Sequence, residues 1–150
     1  MPLSAPPVDS ARGSALYQEV LEFYARQMRS LDEGRVTEWA ATFTEDGVFS
    51  AQAHPRPQEG REAIRQGAAE AVRRLAERGV RRRHWLGMLD VTRHGDGSLT
   101  ARSYAQVIDT PIGGQAAVEL SCTCEDLLVR EGDRLLVRHR RVDRDDLPRP

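Results

Sequence analysis

The stretch Ser30-Leu31-Asp32-Glu33-Gly34-Arg35-Val36-Thr37-Glu38-Trp39-Ala40-Ala41-Thr42-Phe43-Thr44-Glu45-Asp46-Gly47-Val48-Phe49 constrains the fold more than any other part of the chain. It reads as the end of one helix, an acidic turn, a second short helix, and a turn into a strand. Before it, Tyr17, Val20, Leu21, Tyr24, Met28 and Leu31 recur at helical spacing, so a long amphipathic helix leads into it from about Gly13–Ser14, with Ser14 a candidate N-cap. Gly34 suits a left-handed residue at that helix's end. The second helix is predicted over Val36–Phe43, and Gly47 is expected to supply positive φ in a turn before a short strand, Val48–Ala51.

After a proline-containing loop, Gln52–Gln58, a third helix is expected from Gly60 to about Arg78, stopped by Gly79. The hydrophobic period then changes to two. Strands are predicted over Arg81–Val91, Leu99–Asp109, Ala116–Arg130 and Leu135–Asp143, separated by glycine-containing turns. Alternation groups His84, Leu86 and Met88 on one face of the first of these strands, opposite Trp85, Gly87 and Leu89. In the next strand Tyr104, Gln106 and Ile108 share a face. In the last, His139 goes with Val137 and Arg141, against Leu136, Arg138 and Arg140.

Three helices ahead of a four-strand meander make an α+β fold. A strongly bent meander needs its concave side covered, and the helices are there to cover it. The expected architecture is a cone-shaped α+β barrel, with three N-terminal helices packed on a strongly curved, mostly antiparallel sheet that encloses a pocket. Residues 1–12 are expected to be a flexible tail, 13–144 one domain, and 145–150 a C-terminal tail.

Composition narrows the function by exclusion. The net charge of −1 provides no global field for nucleic acid or an anionic membrane. The triplet Arg81-Arg82-Arg83 and the group Arg138, Arg140 and Arg141 read as solvated or salt-bridged sheet surface, since aromatic interleaving is sparse. Every Lys/Arg residue is Arg, so Schiff-base chemistry through lysine is excluded. No dinucleotide, P-loop, nucleophile-elbow or H-E-x-x-H motif is present, and four scattered histidines do not make a metal site. Cys122 and Cys124 fall on one strand face, poorly placed for a disulfide with each other, and read as small buried residues. The N-terminal segment lacks the basic start and apolar middle of a signal peptide, so a cytoplasmic location is expected.

The order L-D-E-G-R…W-A…F-T-E-D-G-V-F followed by G-R-E-A-I resembles the nuclear transport factor 2-like superfamily, and within it the SnoaL-like branch, over about residues 15–143. Arg83-His84-Trp85-Leu86-Gly87-Met88, Cys124-Glu125-Asp126-Leu127-Leu128-Val129-Arg130 and Arg138-His139-Arg140-Arg141-Val142 strengthen the likeness. They are similar to segments of small proteins that accompany aromatic type-II polyketide pathways. The resemblance implies a pocket for a small aromatic polyketide, a homodimer through the outer sheet face with Trp85 and Leu89 contributing, and no cofactor. It implies three kinds of function: a cyclase, dehydratase or isomerase of antibiotic biosynthesis, a binding protein that protects or passes on an intermediate, or an accessory subunit of a tailoring oxygenase.

Asp32 matches the acidic residue that scytalone dehydratase-like members carry at the end of their first helix, and His84 resembles their pocket histidine. The resemblance therefore implies an acid/base pair, with Asp32 orienting His84; the alternative is a turn residue and a structural histidine. Tyr24, Tyr104 and Gln106 are candidates to hydrogen-bond ligand oxygens, or else core residues with satisfied polar tips, and His139 is a further candidate that faces either the cavity or a dimer interface. Trp39, Phe49, Leu86 and Met88 are candidates for the pocket wall. The general-base aspartate of ketosteroid isomerase would fall near Ala51-Gln52 and is missing.

Overall fold

The computed structural model describes residues 8–52 and 54–149. Helix α1 spans Val8–Asp32, starting ahead of the expected Gly13–Ser14, so both residues lie inside it. The tail expected over 1–12 is thus helical from Val8 onward, and residues 1–7 lie outside the described residues. Val20, Phe23, Tyr24, Gln27 and Met28 form the buried stripe of α1, whereas Tyr17 is 40% exposed. The helix ends as the sequence suggests: Gly34 takes φ +77°, and the amides of Gly34 and Arg35 donate to the carbonyls of Leu31 and Ser30.

Helix α2 runs from Val36 to Ala41, and Phe43 already begins strand β1, Phe43–Ala51. The expected turn at Thr44–Gly47 is instead a bulge inside β1. Phe43 pairs with Val137, pairing resumes only at Val48 with His139, and Glu45 and Asp46 are exposed between them. Gly47 is needed for room rather than for positive φ: a Cβ there would lie 3.0 Å from the Thr44 carbonyl oxygen and 3.2 Å from Phe43 Cβ. Strand β2, Gln58–Glu59, falls where a loop was expected at Gln58. Helix α3 spans Arg61–Arg78 and stops at Gly79, φ +65°. The Arg61 guanidinium donates twice to the Phe43 carbonyl, at 3.0 and 2.7 Å, tying the start of α3 to β1.

Strands β3 (Val80–Arg93), β4 (Leu99–Pro111), β5 (Ala117–Glu131) and β6 (Arg134–Arg144) form the antiparallel meander. One six-stranded sheet results, in the order β2-β1-β6-β5-β4-β3, with β1 parallel to β6 and every other pair antiparallel. The sheet curves but does not close, because β2 and β3 are separate edges. The helices pack on its concave side, and the core joins Val20, Met28, Trp39, Phe43, Ile64 and Leu128 across that interface.

Three bulges in the meander change which residues face inward. On β3, Met88 and Leu89 together oppose the single residue Ser103, and Met88 adopts φ +51°. On β5, Glu119 is the extra residue, so Val118 turns outward and is 57% exposed. On β6, Arg138 is extra, between Val137 and His139. The segment after β6 is fastened to the sheet rather than free: Asp145 accepts from Ser121 Oγ at 2.6 Å, and the Pro148 carbonyl accepts from Gln52 Nε2 at 3.1 Å. No described helix is long and apolar enough to cross a membrane.

Candidate functional site: a cavity between helices and sheet

The helices and the concave sheet enclose a cavity of about 460 Å³. Its α3 wall is built of Ile64, Gly67, Ala68, Ala71, Val72 and Leu75, and its sheet wall includes Leu86, Val107 and Leu120. Trp39 and Phe49 also line it, as expected of a mostly apolar pocket with few polar groups.

Asp32 and His84 meet on this cavity's wall. The Gly34 cap ends α1 with Asp32 beside β3, and the inward parity of β3 brings His84 to it. His84 Nδ1 lies 2.6 Å from Asp32 Oδ1, and the backbone amide of His84 donates to Asp32 Oδ2 at 3.1 Å. Both carboxylate oxygens are thereby engaged by one residue, which fixes the ring. A neutral imidazole whose Nδ1 faces a carboxylate keeps its proton on Nδ1 and its lone pair on Nε2, and among the described residues nothing hydrogen-bonds Nε2. Two residues back on the same face, Arg82 forms a two-pronged ion pair with Asp109, at 2.8 Å on each side. That hydrogen bonding holds the Asp109 carboxyl below its usual range.

The other sequence candidates divide. Leu86 lines the cavity beside His84. Tyr24 is buried but is not among the residues that line the cavity, and it donates to Asp126 Oδ2 at 2.6 Å. Met88 does not line the cavity: the bulge at Met88–Leu89 turns it outward, 79% exposed, and packs Leu89 against the core instead. Tyr104 (62% exposed) and Gln106 stand on the outer face, because the inward parity of β4 belongs to Ala101, Ser103, Ala105 and Val107. His139 is exposed for a similar reason: the extra residue Arg138 hands the inward position to Arg140.

Arg140 is therefore no surface residue. It is 2% exposed and lines the cavity. Its Nε and Nη2 donate to the two Asp126 oxygens at 2.8 and 2.7 Å, and Nη2 also donates to Gln27 Oε1 at 2.7 Å. Gln27 in turn donates to Thr42 Oγ1 at 2.7 Å. The guanidinium carbon sits 5.5 Å from the Trp39 ring and 5.4 Å from the Phe43 ring. Among the described residues nothing hydrogen-bonds Nη1. Burial works against the charge, but Asp126 outweighs it, so Arg140 is held above its ordinary value. Burial, then the Asp126 charge, push both the Tyr24 phenol and the Cys124 thiol up, leaving neither as an anionic nucleophile.

The register separates the two polar centres. His84 pairs with Val107 on β4, whereas Asp126 pairs with Ala101. Six residues of strand correspond to about 20 Å. The Asp32–His84 pair and Arg140 therefore start from different levels of the sheet, and both line the one cavity. Among the described residues no cluster of three or more His, Cys, Asp or Glu is placed to hold a metal ion.

No curated protein sequence matches the chain. Among solved structures, ActVI-ORFA from Streptomyces coelicolor is 36% identical, with 91% of this chain and 99% of that one covered and a TM-score of 0.84. Aln2 from a Streptomyces species is 36% identical, with 95% and 96% covered and a TM-score of 0.82. A structure from Catenulispora acidiphila in complex with S-DNPA is 41% identical, with 89% and 96% covered and a TM-score of 0.79. The family model for the SnoaL-like domain matches residues 13–141, and with that span of the chain accounted for, this chain belongs to the SnoaL-like family.

Proposed function

We propose that the cavity binds a small aromatic polyketide and that the chain carries out cofactor-independent acid/base chemistry on it, of the cyclase, dehydratase or isomerase type. The observation that carries this reading is the Asp32–His84 pair, set with one free imidazole nitrogen on the wall of a mainly apolar cavity. His84 Nε2 is placed to remove a proton from a carbon next to a carbonyl. The electron pair moves to the carbonyl oxygen, and the imidazolium that results is stabilised by Asp32. Returning that proton to a departing β-hydroxyl completes a dehydration, and returning it to another carbon completes an isomerisation. The apolar walls exclude water, which strengthens these interactions. Arg140 Nη1, elsewhere on the wall, anchors a second oxygen of the ligand. The complex of the Catenulispora acidiphila relative with S-DNPA supports a small-molecule ligand.

Metabolite profiling of a deletion strain tests this reading. Complementation by the unaltered gene, but not by His84→Ala, is the expected result, with an intermediate accumulating in the second case. Restoration by both would remove the catalytic role and leave a protein that holds or passes on an intermediate.

The same reading includes a homodimer through the outer sheet face. Trp85, Met88 and Tyr104 are exposed there side by side, an apolar patch that favours burial. Leu89 takes no part, being turned inward. Sedimentation should give a dimer for the unaltered chain and a monomer for Trp85→Glu; a monomer in both cases would remove the dimer.

A further inference from the structure

We infer that Gln58 is the polar contact on the α3 wall of the cavity, that Gly67 is glycine in order to seat it, and that its carboxamide hydrogen-bonds a carbonyl or hydroxyl oxygen of the bound aromatic. The inference rests on the reading of the cavity as a ligand site.

Gly67 has no backbone reason to be glycine. It lies inside α3, where glycine is among the poorest residues, and it does not take positive φ. What it provides is room. A Cβ at Gly67 would stand 2.0 Å from Gln58 Nε2, 2.8 Å from Cδ and 3.0 Å from Oε1. The Nε2 end of the Gln58 carboxamide thus points into the space a side chain at residue 67 would fill, with Oε1 further from the helix.

The backbone of Gln58 is held in place. Gln58 pairs with Phe49, Glu59 pairs with Val48, and the Gly60 amide donates to the Gly47 carbonyl at 2.7 Å. The side chain therefore starts from a fixed point on β2 and crosses to α3. Both Gln58 and Gly67 line the cavity. Along α3 the other lining residues are apolar, Ile64, Ala68, Ala71, Val72 and Leu75 among them. Among the described residues the Gln58 carboxamide makes no hydrogen bond, so its donor and acceptor are left to whatever occupies the cavity. An amide seated by its nitrogen end on an apolar wall, with Oε1 and the second N–H directed away from Gly67, suits the edge of a planar ligand bearing a ketone or a phenol. The other polar lining groups, His84 and Arg140 among them, come from elsewhere on the wall, so Gln58 adds a polar contact on the α3 side, which helps to fix the orientation of a flat molecule.

Calorimetric titration of the full chain with S-DNPA tests this. Gln58→Leu should weaken binding about 3- to 10-fold, the value of one hydrogen bond. Gly67→Ala should weaken it similarly while the far-UV spectrum and melting temperature are kept, because the group displaced is the end of a flexible side chain. The double variant should bind no more weakly than Gln58→Leu alone, since both changes remove the same contact. Gln58→Ala with Gly67→Ala, which has room for the new methyl, keeps the comparison usable if Gly67→Ala alone fails to fold. Unchanged affinity in Gln58→Leu, or losses that add in the double variant, would overturn the assignment while leaving the ligand site intact. Failure of S-DNPA to bind the unaltered chain would overturn the ligand site and this assignment together.

Discussion

Asp126→Ala is expected to cost more stability than any other single substitution in the hydrogen-bonded network around Arg140. Asp126 is fully buried and accepts two hydrogen bonds from Arg140 and one from Tyr24. Removing its carboxylate leaves the Arg140 charge in the core without a counter-ion and strands the Tyr24 hydroxyl. Breaking a buried ion pair in this way costs about 3–5 kcal/mol. For a chain of 150 residues each kcal/mol moves the melting temperature by about 2–4 °C, so a drop of roughly 6–20 °C is expected. Total stabilities of domains are only about 5–15 kcal/mol, so the loss is a large fraction of what holds the chain folded. Replacing both partners, Asp126→Leu with Arg140→Met, should cost much less, because no orphan charge remains. Thermal melts followed by circular dichroism decide it. A loss below about 1 kcal/mol in Asp126→Ala would show that water or a neighbour replaces the carboxylate, and that the pair holds nothing together.

This network also explains how the cavity wall around Arg140 is kept in shape. Tyr24 and Gln27 come from α1, Thr42 follows α2, Asp126 is on β5 and Arg140 on β6. One guanidinium thus joins the first helix to the centre of the sheet, and Trp39 rests over it while lining the ligand space. A cation held this firmly, with Nη1 unbonded among the described residues, presents a fixed donor to the cavity rather than a mobile one.

Much of the fold was legible because it depends on periodicity and on glycine. The change from period 3.6 to period 2 after Gly79, and the left-handed residues Gly34 and Gly79, appear in the structure where the sequence places them. The pairing of Asp32 with His84 was legible only through family resemblance, since the two residues lie 52 positions apart. The strand faces failed where bulges intervene. Simple alternation from His84 through Leu86 carries Met88 inward, and one extra residue reverses it. The same happens at Arg138, which exchanges His139 for Arg140. Nothing in local composition marks these insertions, because a bulge is set by the partner strand. Gln106 and Tyr104 failed differently: the alternation was right and the choice of face was wrong, as Ala101 and Val107 on the other face are the buried ones. Asp126 was within reach. It continues the parity of Cys122 and Cys124 toward Leu128, and a carboxylate on an otherwise apolar face calls for a buried cation.

His84→Ala is expected to abolish most of the turnover while leaving the fold intact and weakening S-DNPA binding by no more than the roughly 10-fold of one hydrogen bond. Positioned acid/base groups contribute about 10²- to 10⁴-fold, and kcat should fall by that amount. The fold should survive because the His84 side chain is about a quarter exposed and its contacts beyond Asp32 are with the cavity rather than the core. Asp32→Asn separates chemistry from shape. The amide has the size of the carboxylate and its oxygen can still accept from the His84 backbone amide. Its nitrogen, however, presents a donor to Nδ1, which drives the imidazole proton to Nε2 and removes the basic nitrogen from the cavity. A positioning carboxylate therefore predicts that Asp32→Asn lowers kcat nearly as far as His84→Ala with little change in KM, and that the double variant is no worse than either single one. A purely structural Asp32 predicts instead a fall in melting temperature with kcat unchanged in the folded fraction. If His84→Ala weakens binding but the unaltered chain turns over no aromatic polyketide substrate, the cavity is a carrier and the His84–Asp32 pair is a ligand contact.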